Sequence, residues 1–143
     1  MEGSIYRQIQ EALKDAGLLQ YLKLSDLDSL IGKLRIKHFQ KGETVISQGD
    51  KGDAFYIIAE GSVEVFVRRG LKKEKVATLQ EGEFFGEMSL ITHERRSATV
   101  VVKERALLFL LHEADFAAIL MKNPEALKLL RQVASERKRK SSG

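Results

Sequence analysis

Some residue types are absent from this chain of 143 residues, and each absence excludes a class of site. There is no cysteine and no tryptophan, and Pro124 is the only proline. Without cysteine the chain can form neither a disulfide nor a thiolate metal site, and it has no thiol nucleophile. No apolar run approaches the roughly 20 residues of a membrane-spanning helix, and the first residues do not resemble a secretory signal. We therefore expect a cytoplasmic protein with no membrane span.

Residue types that serve in metal and acid–base sites are present but dispersed. The three histidines, His38, His93 and His112, are far apart, whereas a metal-binding jelly-roll enzyme needs a His-x-His pair. Glu87 and Glu94 do not make a convincing acid–base pair, because Glu94 lies in an exposed polar run. We therefore expect neither a metal ion nor an enzymatic activity.

The formal net charge of +4 is concentrated near the C-terminus. From Lys128 onward the chain has six Lys or Arg and one Glu, whereas residues 1–127 have 18 basic and 19 acidic side chains. Cations at this position complement the C-terminal end of a helix dipole, which is the simpler interpretation. Contact with a partner domain, nucleic acid or a membrane is the alternative.

Hydrophobic periodicity predicts helices at both ends of the chain. Apolar residues recur at helical spacing over 4–15 and over 26–34, the second stretch behind a Ser25 cap. Near the C-terminus, a helical pattern over 113–121 stops before Pro124, and another follows over 124–138.

The central part of the chain has the pattern of a β domain. Short runs of Val, Ile, Phe and Tyr alternate with glycines there, and seven of the eleven glycines lie from Gly42 to Gly86. The predicted strands lie near 34–39, 44–47, 54–59, 62–69, 73–79, 84–85, 98–103 and 106–111. So many short strands predict a mainly β fold with flanking α-helices, an antiparallel eight-stranded β-roll or jelly roll.

One short segment supplies the chemistry for holding a sugar phosphate. It reads Phe85-Gly86-Glu87-Met88-Ser89-Leu90 and is followed by Arg96-Ser97-Ala98-Thr99. The glycine lets the backbone approach a ligand, and a helix that starts after it would direct free N–H groups at an anion. The arginine can contact two phosphate oxygens, and the glutamate can accept a hydrogen bond from a hydroxyl group.

The two halves of this segment, at this spacing, resemble the phosphate-binding cassette of cyclic-nucleotide-binding domains. That family includes catabolite-activator-type regulators, cAMP-dependent kinase regulatory subunits and cyclic-nucleotide-gated channels. The resemblance covers roughly residues 15 to 135. It implies that Arg96 binds the phosphate and Glu87 the ribose 2′-hydroxyl of cAMP or, second, cGMP. The nucleotide-binding residues implied are Phe85, Gly86, Glu87, Met88, Ser89, Arg96, Ser97 and Ala98.

The resemblance also implies how the chain is divided and that a helix covers the bound base. An N-terminal helical segment, 1–33, precedes the β-roll, 34–112, which contains the cassette, 85–99. Hinge and lid helices, 113–140, follow, and the last helix folds over the base. The wall candidates are Met88, Val65, Val76 and Leu79, and the lid candidates are Leu127, Leu130, Arg131 and Val133.

Simpler interpretations of the two charged residues stay open. Arg96 could be a surface arginine on a strand, and Glu87 a first-turn acid favoured by the helix dipole. Arg95 also competes with its neighbour, although side-chain alternation allows only one of the two into a pocket. Many members of the family have proline where this chain has Arg95.

We expect a regulatory sensor that binds a cyclic mononucleotide and transmits binding through its C-terminal helices to an effector domain or partner protein. Two alternatives remain. The first is a similar domain that binds no nucleotide and serves as a protein–protein interaction module. The second is the sensor half of a DNA-binding regulator, but the sequence stops at Gly143 without a helix-turn-helix, so direct DNA binding is not expected.

Overall fold

A computed structural model describes the protein, with the backbone of residues 2–142 and the side chains of residues 6–139. The helices are α1 (Glu2–Asp15), α2 (Leu24–Lys33), α3 (Glu87–Thr92), α4 (Glu113–Phe116) and α5 (Pro124–Ser142). A 3-10 turn, Leu19–Tyr21, precedes α2, and a π-helical turn, Ala117–Met121, continues α4. Among the described residues, none of the helices has the length and apolar character that a membrane-spanning helix needs.

The strands between these helices form one antiparallel sheet, in the order β1-β6-β3-β4, with β2 paired to β6 and β5 paired to β3. The mainly β fold with flanking helices is therefore confirmed, but the number of strands differs from the prediction. Residues 2–142 contain six strands because each of two long strands replaces two predicted ones. The strands are β1 (Arg35–Phe39), β2 (Thr44–Ile46), β3 (Ala54–Arg69), β4 (Lys72–Gln80), β5 (Phe84–Phe85) and β6 (Thr99–His112).

Gly61 explains why β3 continues where a turn was predicted. Its φ is +87°, and a Cβ at this position would collide with the carbonyl oxygen of Arg105 on β6. The pairing of β3 with β6 shifts register on both sides of Gly61, between Ile58 and Ser62. Such an irregularity absorbs a residue without ending a strand, so this glycine marks a bulge and not a hairpin.

Two hydrophobic clusters lie on opposite faces of the sheet. The larger one packs the sheet against the terminal helices and contains Phe55, Ile57 and Phe116. The smaller one lies within the roll and contains Tyr56 and Ile58. Successive residues of β3 therefore alternate between two apolar environments, which explains why this strand is a continuous apolar run rather than an alternating one.

The start of α2 differs slightly from the prediction. The helix begins at Leu24, so the predicted cap, Ser25, lies in its first turn. Asp26 supplies a cap contact instead, because its carboxylate accepts a hydrogen bond of 3.2 Å from the amide of Lys23.

The single proline begins α5, as predicted. The Asn123 side-chain oxygen accepts hydrogen bonds from the amides of Glu125 at 3.1 Å and Ala126 at 3.0 Å, so it caps this helix. The preceding segment was predicted as one helix over 113–121. It is α-helical only over Glu113–Phe116 and then widens into the π-helical turn.

Candidate functional site

The site is a cavity of about 640 Å³, including its opening to solvent, between the β3–β4 hairpin, α3 and the segment before β6. Three of the predicted wall residues, Val65, Val76 and Leu79, line its apolar side, and Met88 lines it from α3. Every residue predicted from the cassette also borders it, namely Phe85, Gly86, Glu87, Met88, Ser89, Arg96, Ser97 and Ala98.

Gly86 fixes the direction in which α3 leaves the sheet. It is the N-cap of α3, with a left-handed φ of 90°. A Cβ here would also lie 3.0 Å from both the Ala54 carbonyl oxygen and the Arg96 Nη1 atom. Any other residue would therefore be strained and would crowd the arginine. This glycine allows the next residue, Glu87, to enter the interior at the first position of the helix.

Arg96 is buried, with 4% of its surface exposed, whereas its neighbour Arg95 is exposed. Its Nη1 donates to the Gly86 carbonyl oxygen at 2.8 Å and to the Ser89 hydroxyl at 2.9 Å. Its Nη2 donates to the Ala54 carbonyl oxygen at 2.7 Å. Among the described residues these bonds use three of the five guanidinium N–H donors. The Nε–H and one Nη2–H are left for a further acceptor.

One carboxylate lies beside the guanidinium of Arg96. The Asp53 carboxylate lies 3.7 Å from Nη2, but 77% of that acidic side chain is exposed, so the ion pair is weak. Burial lowers the pKa of Arg96, and nearby anionic groups, including Asp53, oppose this change. The positive charge is held in place mostly by backbone carbonyls, which carry no full charge to compete with an anionic ligand.

Gly52 makes room for this arrangement. A Cβ at residue 52 would collide with the Ser89 hydroxyl and come within 3.4 Å of the Arg96 guanidinium carbon. The φ of this glycine is not in the left-handed region, so a glycine is needed here for space and not for backbone conformation. The space that this glycine leaves is occupied by the Ser89 hydroxyl, which accepts a hydrogen bond from the arginine.

Glu87 is buried, with 1% of its surface exposed, and its carboxylate is paired with a residue of α5. Arg137 Nη1 donates to Oε1 at 2.8 Å and to Oε2 at 2.9 Å. The same guanidinium lies 5.3 Å from the centre of the Phe84 ring. Burial raises the pKa of Glu87, and the positive charge of Arg137 is the strongest opposing influence.

Arg137 is the charged residue of the cavity that sequence reasoning missed. It lines the cavity, whereas none of the four lid candidates does. Leu130 and Val133 pack in or against the core cluster instead, and Leu127 and Arg131 border an open groove on the outer side of α5. Arg137 follows Val133 by one helical turn, so it lies on the same side as the core-facing residues. The spacing from Val133 could have indicated this position, but the basic residues near the C-terminus were interpreted as a solvated helix end.

The remaining cassette residues complete the wall. Phe85 stacks on Tyr56, with ring centroids 5.0 Å apart and planes at 8°. Ser97 is exposed at the rim of the cavity, and its hydroxyl lies 4.0 Å from the Met88 sulfur. The site thus combines an apolar wall with a cationic group and a carboxylate at one end.

A sequence profile of the cyclic nucleotide-binding domain matches residues 36–123. The chain therefore belongs to the cyclic-nucleotide-binding domain family, and the resemblance seen in its cassette is confirmed. The family comprises regulatory ligand-binding domains rather than catalytic ones.

The relatives of this chain include channels and kinase regulatory subunits. The chain is 35% identical over 121 residues to the cyclic nucleotide-gated potassium channel mll3241 of Mesorhizobium japonicum, covering 85% of this chain and 32% of the channel. It superimposes on the regulatory domain of PKA from Toxoplasma gondii, solved with cAMP, with a TM-score of 0.81, 29% identity and coverage of 93% and 49% of the two chains.

A third relative differs in its ligand. The regulatory subunit of a cAMP-independent protein kinase A from Trypanosoma cruzi, solved with guanosine, matches with a TM-score of 0.77 and 27% identity, covering 86% of this chain and 44% of that one. This chain spans 8% to 32% of the length of seven curated relatives that it matches.

Proposed function

We propose that this chain is a sensor domain for a cyclic mononucleotide, with cAMP preferred over cGMP. Binding would act through α5 on an adjoining effector domain or a partner protein, without catalysis or metal, in the cytoplasm. One observation carries the proposal: a buried arginine, Arg96, retains unused N–H donors at the end of an apolar cavity.

The charged end and the apolar wall of the cavity together fit a cyclic nucleotide. Arg96 would contact the phosphodiester with its Nε–H and Nη2–H, and such charge-assisted bonds contribute about 1.5–3 kcal/mol each. Glu87, in the first turn of α3, would accept a hydrogen bond from the ribose 2′-hydroxyl. Val65, Val76 and Leu79 would cover a face of the purine.

Arg137 provides a physical route from the ligand to α5. Because its guanidinium holds the carboxylate that would bind the ribose, nucleotide and helix share one group. A ribose hydroxyl that joins or displaces this contact changes how firmly α5 is held against α3. The nucleotide can shift the position of α5 only by its different affinity for the two arrangements, typically 1–3 kcal/mol.

Calorimetric titration with cAMP and cGMP tests the proposal. The matched pair of variants is Arg96→Lys and Arg95→Lys, because each keeps the charge and only the first residue is buried. We expect Arg96→Lys to weaken binding at least tenfold and Arg95→Lys to change it less than threefold. Arg96→Ala should weaken binding at least as much, but it also removes three hydrogen bonds, so circular dichroism must accompany it. Equal affinities for wild type and Arg96→Lys would contradict the role of this arginine.

A titration with guanosine separates this proposal from a nucleoside sensor. Guanosine has no phosphate, so its binding should not respond to Arg96→Lys. Tight binding of guanosine together with no binding of cAMP or cGMP would reject the cyclic-nucleotide assignment. The absence of binding by all three would favour the interaction module considered above. Ser97→Ala should leave cAMP binding unchanged and weaken cGMP binding if the rim hydroxyl contacts the guanine amino group.

A further inference from the structure

The tip of the β3–β4 hairpin is a basic, fully solvated surface that the nucleotide site does not use. Eight consecutive residues, 68–75, are exposed, and they contain five Lys or Arg and one Glu. The turn is Gly70-Leu71, in which Gly70 has a φ of 64°. Leu71 is fully exposed, more so than any other large apolar side chain described.

The pairing of the two strands brings like charges together at this tip. Arg68 lies opposite Lys73, and Arg69 lies opposite Lys72. Like charges directly across an antiparallel pair destabilise a sheet, so two successive cationic pairs are unfavourable for the isolated domain. A nearby anionic surface would remove this repulsion.

Few groups within the domain neutralise these cations. Arg69 pairs with Glu74 at 3.3 Å and Lys75 pairs with Glu64 at 3.1 Å, but these side chains are partly or largely exposed, so both contacts are weak. Lys73 lies over the Phe66 ring at 4.5 Å, a contact that attracts the ammonium group but does not cancel its charge. Among residues 6–139, no carboxylate is recorded in contact with Arg68 or Lys72.

We propose that residues 68–73 form a docking tip for a membrane surface rich in anionic lipids. The charge pattern is complementary to an anionic partner, and the apical leucine favours lipid over a soluble polyanion. Leu71 would enter the boundary between headgroups and acyl chains, while the flanking Lys and Arg keep their charges at the phosphates. Each basic residue at an anionic surface changes affinity on the order of fivefold.

Sedimentation with vesicles tests the proposal, using phosphatidylcholine alone and with phosphatidylserine at about a third of the lipid. We expect binding only to the anionic vesicles, and weaker binding as salt concentration rises. Arg68→Gln/Lys72→Gln should weaken it on the order of twentyfold. The matched control is Lys41→Gln/Lys103→Gln, which removes the same charge from two exposed residues elsewhere and should change binding less than threefold. Equal losses for both pairs, or no binding by wild type, would overturn the proposal.

The absence of cysteine allows a direct test of insertion. Leu71→Cys and, as control, Lys41→Cys each give one site for an environment-sensitive fluorophore. Anionic vesicles should shift emission to the blue only at residue 71, and Leu71→Ser should weaken sedimentation at least threefold. No shift would overturn the insertion of Leu71, and binding to duplex DNA or polyglutamate as strong as to vesicles would assign the tip to a soluble polyanion instead. Nucleotide affinity should be unchanged in all these variants, so this outcome is independent of the proposed sensor function.

Discussion

The contact between Arg137 and Glu87 should show an asymmetric response to mutation. Glu87 is almost fully buried, whereas a quarter of the Arg137 side chain is exposed. Removing the arginine leaves an unpaired carboxylate in the interior. Removing the charge of the acid leaves an arginine that can still reach water. We therefore expect Arg137→Met to destabilise the fold more than Glu87→Gln does.

The magnitudes follow from the burial of the two partners. Removing one member of a fully buried ion pair costs about 3–5 kcal/mol, and we expect about 2–3 kcal/mol for Arg137→Met because this pair is partly exposed. Glu87→Gln should cost about 1 kcal/mol. In the double variant, Met still covers the Phe84 ring and no charge is buried alone. The unfolding free energy of the double variant should therefore be only about 1 kcal/mol lower than that of wild type. The coupling energy should then be about 2–3 kcal/mol in magnitude.

Urea unfolding at pH 7.0 without nucleotide measures all four proteins, with the exposed Arg139→Met as a control on the same helix. Hydrogen exchange of the α5 amides shows whether the loss is local, and we expect weaker protection in Arg137→Met only. A coupling energy below about 0.5 kcal/mol, within the error of additivity for independent sites, would refute the reasoning. So would a larger loss for Glu87→Gln than for Arg137→Met.

Two further predictions concern the same site. Because burial raises the pKa of Glu87, the folded protein holds the carboxyl proton of this residue more tightly than the unfolded chain does. The unfolding free energy of wild type, measured relative to Glu87→Gln, should therefore fall as pH rises above the ordinary pKa of 4.5. Arg137→Met should raise the pKa of Glu87 further, which carboxyl carbon NMR can measure. An unchanged pKa in Arg137→Met would argue against the ion pair in solution. Gly52→Ala should weaken cyclic-nucleotide binding at least fivefold, because the added methyl group displaces Ser89. Adding Ser89→Gly to this variant should restore part of the lost affinity, as measured by calorimetry. A double variant that binds no better than Gly52→Ala would show that the methyl group does not collide with the Ser89 side chain.

The cassette could be located from sequence because its residues are close along the chain and each has a restricted role. A left-handed glycine before a short helix and the spacing to Arg96 are local features. Burial of Arg96 and exposure of Arg95 also agree with simple alternation of side chains. These features depend on backbone geometry, which short sequence patterns specify well.

The features that sequence missed depend on contacts between distant segments. Gly61 was assigned to a turn because a bulge needs the partner strand to be recognised. Arg137 was assigned to a solvated helix end because its acidic partner lies 50 positions earlier in the chain. Gly52 carried no sign of its spatial role, since the hydroxyl that it accommodates belongs to α3.

The way Arg96 is anchored has a consequence for how the site arises. Its side chain binds the carbonyl of Ala54, 42 positions upstream, and its backbone exchanges hydrogen bonds with Gly49 and Asp50 at 2.8 Å and 2.7 Å. A peptide containing only residues 85–99 would lack those three anchors, and its guanidinium would be free to rotate. An anchored guanidinium at this position therefore requires residues 49–54 as well as the cassette, so the cassette by itself cannot present the arginine to an anion in the geometry seen here.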